Sequence, residues 1–192
     1  MKNAEELLRT SVWGPSLTTE EMTKALAGTF ERSFAPGAFI CMKGEPVDYW
    51  MGIIDGLGKM ASHWNTGKTT SLTGISTGGW FGEGSLLKSE PRRYDVMALR
   101  ETRVAFMSRA TFLWLLDHSI PFNRYMIAQL NERLGQFIGM IENERMLDTD
   151  ARIARGLAAL FNPVLYPGTL RLLQISQEEL GYLAGVSRQR AH

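Results

Sequence analysis

The residues best suited to chemistry lie at positions 78–98, in the run GGWFGEGSLLKSEPRRYDVMA. Gly82, Glu83, Gly84 and Ser85 put two glycines, a carboxylate and a hydroxyl side by side, and Arg92 and Arg93 follow directly after Pro91. Glycines let the backbone come close to a ligand and turn its N–H groups onto an anion. A carboxylate beside them can accept from a sugar hydroxyl, and a guanidinium at the far end can pair bidentately with a phosphate. The set suits a sugar phosphate or another small anion. It also suits a turn, a short helix and a solvated basic loop, and the loop by itself does not separate the two.

Other chemistries find little support. The single Cys41 rules out an intramolecular disulfide and fits a reducing compartment. The histidines, His63, His118 and His192, are scattered without ligand spacing, so neither a metal-dependent jelly-roll enzyme nor a haem site on His63 is expected. No nucleophile–base pair stands out, and the chain reads as a non-enzyme. Hydrophobic content of 44% and charge of 21% are ordinary for a globular protein. The N-terminus, MKNAEELLRTS, lacks the apolar centre of a signal peptide, and no run approaches the ~20 apolar residues that span a membrane. A cytoplasmic protein without a membrane partner is the expectation.

The elements that must hold the 78–98 loop are read from periodicity. Residues 1–30 look helical: Thr18 and Glu21 form a capping box, and Met22, Leu26 and Phe30 repeat at helical spacing. From 34 to 109 the segments are short, rich in Gly, Thr and aromatics, and punctuated by turns. That pattern predicts an antiparallel β jelly roll within an α+β chain. Its best hairpin pairs 59–64 with 68–75 across a turn at 65–67. A short helix from Arg109 closes the barrel, and Pro121 marks the start of a long one. Met126, Leu130, Leu134, Phe137 and Ile141 follow a near-heptad spacing there, with Ile127, Ile138 and Met140 alongside. Apolar residues on more than one side predict burial against both the barrel and a second copy. The division expected is a sensor at 1–118, a dimerisation helix at 119–149 and a DNA-binding unit at 150–192. A further helix is expected over 151–161, a loop over 162–168 and a short strand over 170–175.

The last stretch, ISQEELGYLAGVSRQRAH, is mildly basic, because from 151 onward five arginines face two glutamates. Ser176 and Glu179 form a second capping box, Gly185 can end that helix, and Ser187 can cap another carrying Arg188, Gln189 and Arg190. Helix, glycine turn and capped basic helix is helix-turn-helix grammar, although a purely structural hairpin has the same outline. Arg188 and Gln189 would then reach base edges, while Ser176, Gln177 and Ser187 would donate to phosphates of double-stranded DNA. The chain stops at His192, soon after this helix begins, so the unit is expected to be an incomplete part of a longer protein.

Phe81, Gly82, Glu83, Ser85, Leu86, Leu87, Pro91, Arg92, Val96 and Ala98 resemble the phosphate-binding cassette of cyclic-nucleotide-binding domains in the CRP/FNR family of bacterial transcription regulators. The end of the chain resembles that family's helix-turn-helix. The resemblance implies a jelly-roll sensor, a homodimer built on a long helix, and DNA, with RNA polymerase, as partners. It implies that a cyclic nucleotide effector would take backbone amides from Gly82 and Ser85, place its ribose hydroxyl on Glu83 and its phosphate on Arg92, with Arg93 in support. Two cassette positions depart: Arg93 stands where the family has Ser or Thr, and Tyr94 where it has a small residue. Phe137 and Ile138 stand where cAMP-responsive members carry hydroxyls that reach the adenine. These departures leave another small anion open as the effector, and a ligand-binding module working through protein contacts is the alternative to DNA binding.

Overall fold

The computed structural model describes residues 3–63, 69–146, 148–169 and 173–184. Two helices come first, α1 (Ala4–Thr10) and α2 (Thr19–Ala27), joined through a 3-10 turn at Gly14–Ser16. The capping box at the start of α2 forms as the sequence predicts: Glu21 N donates to Thr18 Oγ1 at 3.2 Å, and Thr18 N donates to Glu21 Oε2 at 2.7 Å. The helix ends at Gly28, so Phe30 does not continue its apolar face. Phe30 lies in the strand β1 (Thr29–Phe34), five residues earlier than the strand region expected from composition.

Eight strands follow the alternation of the sequence into two four-stranded antiparallel sheets. One has the order β1, β8 (Thr102–Ser108), β3 (Tyr49–Asp55), β6 (Trp80–Phe81). The other has the order β2 (Phe39–Cys41), β7 (Asp95–Ala98), β4 (Leu57–His63), β5 (Thr69–Ser76). This is the expected jelly roll. The hairpin of β4 and β5 pairs Leu57 with Ser76 through His63 with Thr69; its turn lies outside the described residues.

The strand β3, YWMGIID, is apolar almost throughout because both of its faces are covered. Met51 and Ile53 point between the sheets, against Met60, Phe81, Val96 and Val104. Trp50 and Ile54 point the other way, into a second cluster under the helices with Trp13, Trp80, Phe112 and Phe122. Trp50 and Trp80 stack with ring centroids 4.2 Å apart, and Trp13 meets Trp80 edge-on at 5.5 Å. Gly52 makes room for this, since a Cβ there would fall 2.7 Å from Trp80 Cδ2.

Past β8, Ser108 caps α4 (Arg109–His118), and α5 (Ile120–Met146) runs for 27 residues across the barrel. Asp148 caps α6 (Thr149–Ala159), with Ala151 N donating to its Oδ1 at 2.9 Å, so this helix starts two residues before the sequence suggested. Residues 160–169 are irregular and return the chain to the barrel, where the Thr169 and Ser76 hydroxyls are 2.6 Å apart, and α7 (Gln177–Ala184) follows further on. Of the strand expected over 170–175, residues 170–172 lie outside the described residues, and Leu173–Ile175 is not strand.

Candidate functional site

Between the sheets, β6 delivers the chain into Gly82 at φ 95°, a left-handed conformation that glycine adopts freely. A Cβ at Gly82 would also lie 3.1 Å from Arg92 Nη1. The helix α3 (Glu83–Lys88) begins at the next residue, with Glu83 and Ser85 turned inward and Gly84 facing open space. Arg92 enters from the opposite side of the loop. Its backbone is pinned to the Gly44–Glu45 turn, because Arg92 N donates to Glu45 O at 3.0 Å and Gly44 N donates to Arg92 O at 2.9 Å.

Two opposite charges are thereby buried in one place, Glu83 at 4% exposure and Arg92 at 6%. Neither has its hydrogen bonding completed. The only hydrogen bond the Arg92 side chain makes among the described residues runs from Nη2 to Tyr49 O, at 3.3 Å. Five donors on a buried guanidinium want more than that. Glu83 Oε1 lies 3.7 Å from Arg133 Nε, and Glu83 Oε2 is buried with no hydrogen-bond partner. Buried polar atoms left in this way cost about 1–3 kcal/mol each, more when charged, and persist where a ligand completes them. A hydroxyl donor placed against Glu83 together with an anion placed against Arg92 would satisfy both.

Arg133 is the residue that sequence reading missed. It is 8% exposed on α5 and donates from Nη2 to Trp80 O at 2.9 Å. Within NERL it reads as a solvated charge. The available signal was its register: Phe122, Met126, Gln129 and Arg133 share the barrel-facing side of α5, and all four are buried. Tyr94 sits half-buried at the edge of this site. Burial first, and the charge of Glu83 second, push its hydroxyl well above the usual phenol range, so it stays protonated.

The other expected residues divide. Ser85 is buried beside Glu83. Arg93 does not join the site. It is exposed at a bend before β7 and donates from Nε to Glu90 Oε2 at 3.1 Å. On α5, Leu130, Leu134 and Ile141 are exposed as a seam requires, together with Ile127 and Ile138. Met126 is not on that seam but buried in its own chain's tryptophan cluster, and Phe137 packs half-buried against the barrel. The exposed line is therefore Ile127, Leu130, Leu134, Ile138 and Ile141, about one residue round the helix from the one expected. Ser176 caps α7, accepting from Glu179 N at 3.2 Å, and Gln177 is exposed at the first turn. Ser187, Arg188 and Gln189 lie outside the described residues.

A separate cleft of about 660 Å³ opens between β5, α5, α6 and α7, lined by Thr73, Gln136, Arg155 and Asn162 among others. No residue of the Gly82–Arg92 loop lines it, so volume and charge mark different places. The charged site is the candidate, since its buried charged groups are the ones left short of partners.

A buried carboxylate and a buried guanidinium, presented by a glycine turn and a short helix of a jelly roll, form a site suited to a small anion that also carries a hydroxyl. The family model described as "Cyclic nucleotide-binding domain" matches residues 31–119. The chain is 31% identical over 140 residues to the cAMP-dependent protein kinase type II regulatory subunit of Drosophila melanogaster, which covers 73% of this chain and 36% of that protein. It is 28% identical over 127 residues to the cAMP-activated global transcriptional regulator CRP of Pasteurella multocida, covering 64% of this chain and 60% of that one. The crystal structure of the Thermus thermophilus Catabolite Activator Protein superposes with a TM-score of 0.59 at 25% identity, over 96% of this chain and 83% of that one. The chain thus carries a cyclic nucleotide-binding domain with CRP/FNR-like homologues and structural neighbours. It spans less than two thirds of the length of these two curated relatives. Among the described residues no helix is long and apolar enough to cross a membrane.

Proposed function

We propose that this chain is the sensing part of a CRP/FNR-type transcription regulator whose effector is a cyclic nucleotide, and that it works as a homodimer on double-stranded DNA. The observation that carries the effector is the buried pair of Glu83, with Oε2 unpartnered, and Arg92, with one long hydrogen bond. A cyclic ribose phosphate offers a hydroxyl to the first and an anion to the second in a single molecule. Among the described residues no cluster of metal-ligating side chains is present, and the reading is one of binding.

Dimerisation rests on the exposed apolar line of α5, whose spacing of three, four, four and three residues is that of a helix seam. DNA binding rests on the helix-turn-helix pattern of 176–190 and on α7, which forms with the capping box that pattern requires. In this reading the effector shifts the population of two dimer arrangements and so the spacing of the two recognition helices. RNA polymerase would be the further partner of the complete protein, and the cytoplasm its place.

The match to a kinase regulatory subunit favours a second reading, a regulatory module that acts through protein contacts alone. Replacing Arg188 and Gln189 with Ala in the complete protein distinguishes the two: loss of operator binding supports the first reading, and unchanged regulation supports the second. The effector is tested by isothermal titration of cAMP and cGMP into the wild-type protein and Arg92→Ala. Saturable heat that disappears in the variant is expected. No heat with either nucleotide overturns the assignment.

A further inference from the structure

Besides Trp80 O, Arg133 has two side-chain partners in different parts of the fold. On one side its Nε faces Glu83 Oε1 at 3.7 Å, in the ligand site. On the other its Nη1 donates to Tyr166 Oη at 3.2 Å, beyond α6. Gln136 Nε2 donates to the same hydroxyl at 3.3 Å. Tyr166 is 1% exposed, although it belongs to an irregular segment. Its ring lies over Gly79, where a Cβ would come within 2.9 Å of Cδ1.

Around it the segment is tied to the sensor by side chains. Asn162 Nδ2 donates to Glu132 Oε2 at 3.0 Å, and the Thr169 and Ser76 hydroxyls are 2.6 Å apart. Further on, Arg100 donates from Nε and Nη2 to both oxygens of Glu179 in α7, at 2.6 and 2.7 Å. Of these ties, the one through Arg133 also reaches the ligand site, by way of Glu83.

We propose that Tyr166 is a positioning residue for the ligand site: it shares Arg133 with Glu83, so that a ligand with its hydroxyl on Glu83 and its anion at Arg92 draws Arg133 away and loosens the 162–169 segment from the sensor. The inference rests on the reading of that site as a ligand site. Of the partners of Arg133, Tyr166 is a neutral hydroxyl, and an anion outcompetes a neutral acceptor for a guanidinium. By linkage, whatever Tyr166 loses when ligand binds, the ligand loses while Tyr166 holds Arg133.

The test has two arms. In the ligand-free protein, hydrogen exchange is read at the amides of Tyr166, which donates to Asn162 O at 2.9 Å, and Thr169, which donates to Tyr166 O at 3.1 Å. Glu83→Gln removes the charge that competes with Tyr166 for Arg133, so Arg133 is held by Tyr166 more firmly and exchange at both amides is expected to fall about fivefold or more. Rates equal to or above those of wild type overturn the proposal, whether or not any nucleotide binds. In the second arm cAMP is titrated into the wild type and Tyr166→Phe, which keeps the ring and removes only the hydroxyl. The variant is expected to bind about fivefold more tightly, because the competing acceptor is gone. Equal or weaker binding overturns the proposal, since a merely structural tyrosine would not tighten affinity when truncated. Absence of cAMP binding to the wild type counts against the effector assignment, and the exchange arm then decides the inference alone.

Discussion

Leu134→Asp is the perturbation that bears most heavily on the proposed dimer. Leu134 stands at the centre of the exposed apolar line on α5 and is 58% exposed; Ile127 and Leu130 precede it, and Ile138 and Ile141 follow. The five side chains together leave about two and a half side chains' worth of apolar surface in water per protomer. At about 1.5–3 kcal/mol per buried side chain, two such helices recover roughly 8–16 kcal/mol on pairing. Association itself costs about 4–15 kcal/mol, so the margin is narrow and a central loss is decisive. Leu134→Asp removes about 2–3 kcal/mol of apolar burial over the two protomers and places two carboxylates against each other. The dimer dissociation constant should rise by at least about a hundredfold. Analytical ultracentrifugation over a concentration series reads this directly, with circular dichroism confirming that the monomer stays folded. Met126→Asp is the contrast: Met126 is buried in its own chain, so it should unfold the protein rather than split a dimer. A wild type that is monomeric at all concentrations, or a Leu134→Asp dimer of unchanged affinity, would refute the assignment of this face.

Three further outcomes follow from the packing. Gly52→Ala forces a Cβ to within 2.7 Å of Trp80 and should cost about 1–3 kcal/mol by overpacking, read as a lower thermal midpoint. Burial drives the pKa of Cys41 up to about 11, so the native thiol should resist a thiol reagent at pH 8 and react once denaturant opens the barrel. For Glu179, burial works to raise the pKa, but hydrogen bonds from Arg100 and Ser176 outweigh it and hold the carboxyl below its ordinary 4.5. A depressed carboxylate contributes stability above its unfolded pKa and loses it as pH falls through the folded one. Protection of the α7 amides should therefore fall as the pH drops below about 4.5, and Glu179→Gln should be weaker at neutral pH and flatter in acid.

What the sequence made legible was local. The capping boxes at Thr18 and Ser176 need only side chains three residues apart, and both form. The alternation of residues 57–63 and 69–76 carried the main hairpin without reference to anything distant. Gly82, Glu83 and Arg92 were readable as a set because one loop holds them. Phe30 was misplaced because helical spacing alone does not register that Gly28 ends α2 and that β8 is waiting to pair with the next residues. The exposed apolar line of α5 was set one residue off because both sides of that helix carry apolar residues. Only the barrel decides that Met126 and Phe137 turn inward while Ile127 and Ile138 face out. Arg133 stayed hidden for the same reason: its partners, Glu83, Trp80 and Tyr166, lie 50, 53 and 33 residues away.

The central claim is that Glu83 and Arg92 together hold a cyclic ribose phosphate. Comparing cAMP with 2′-deoxy-cAMP by isothermal titration against the wild-type protein tests it most directly. Only the first can donate a 2′-hydroxyl to the unpartnered Glu83 Oε2. The account predicts saturable binding of cAMP and an affinity for the deoxy analogue weaker by about tenfold or more, because the buried oxygen is left unpaired. Equal affinity for the two, or binding of neither, would contradict it.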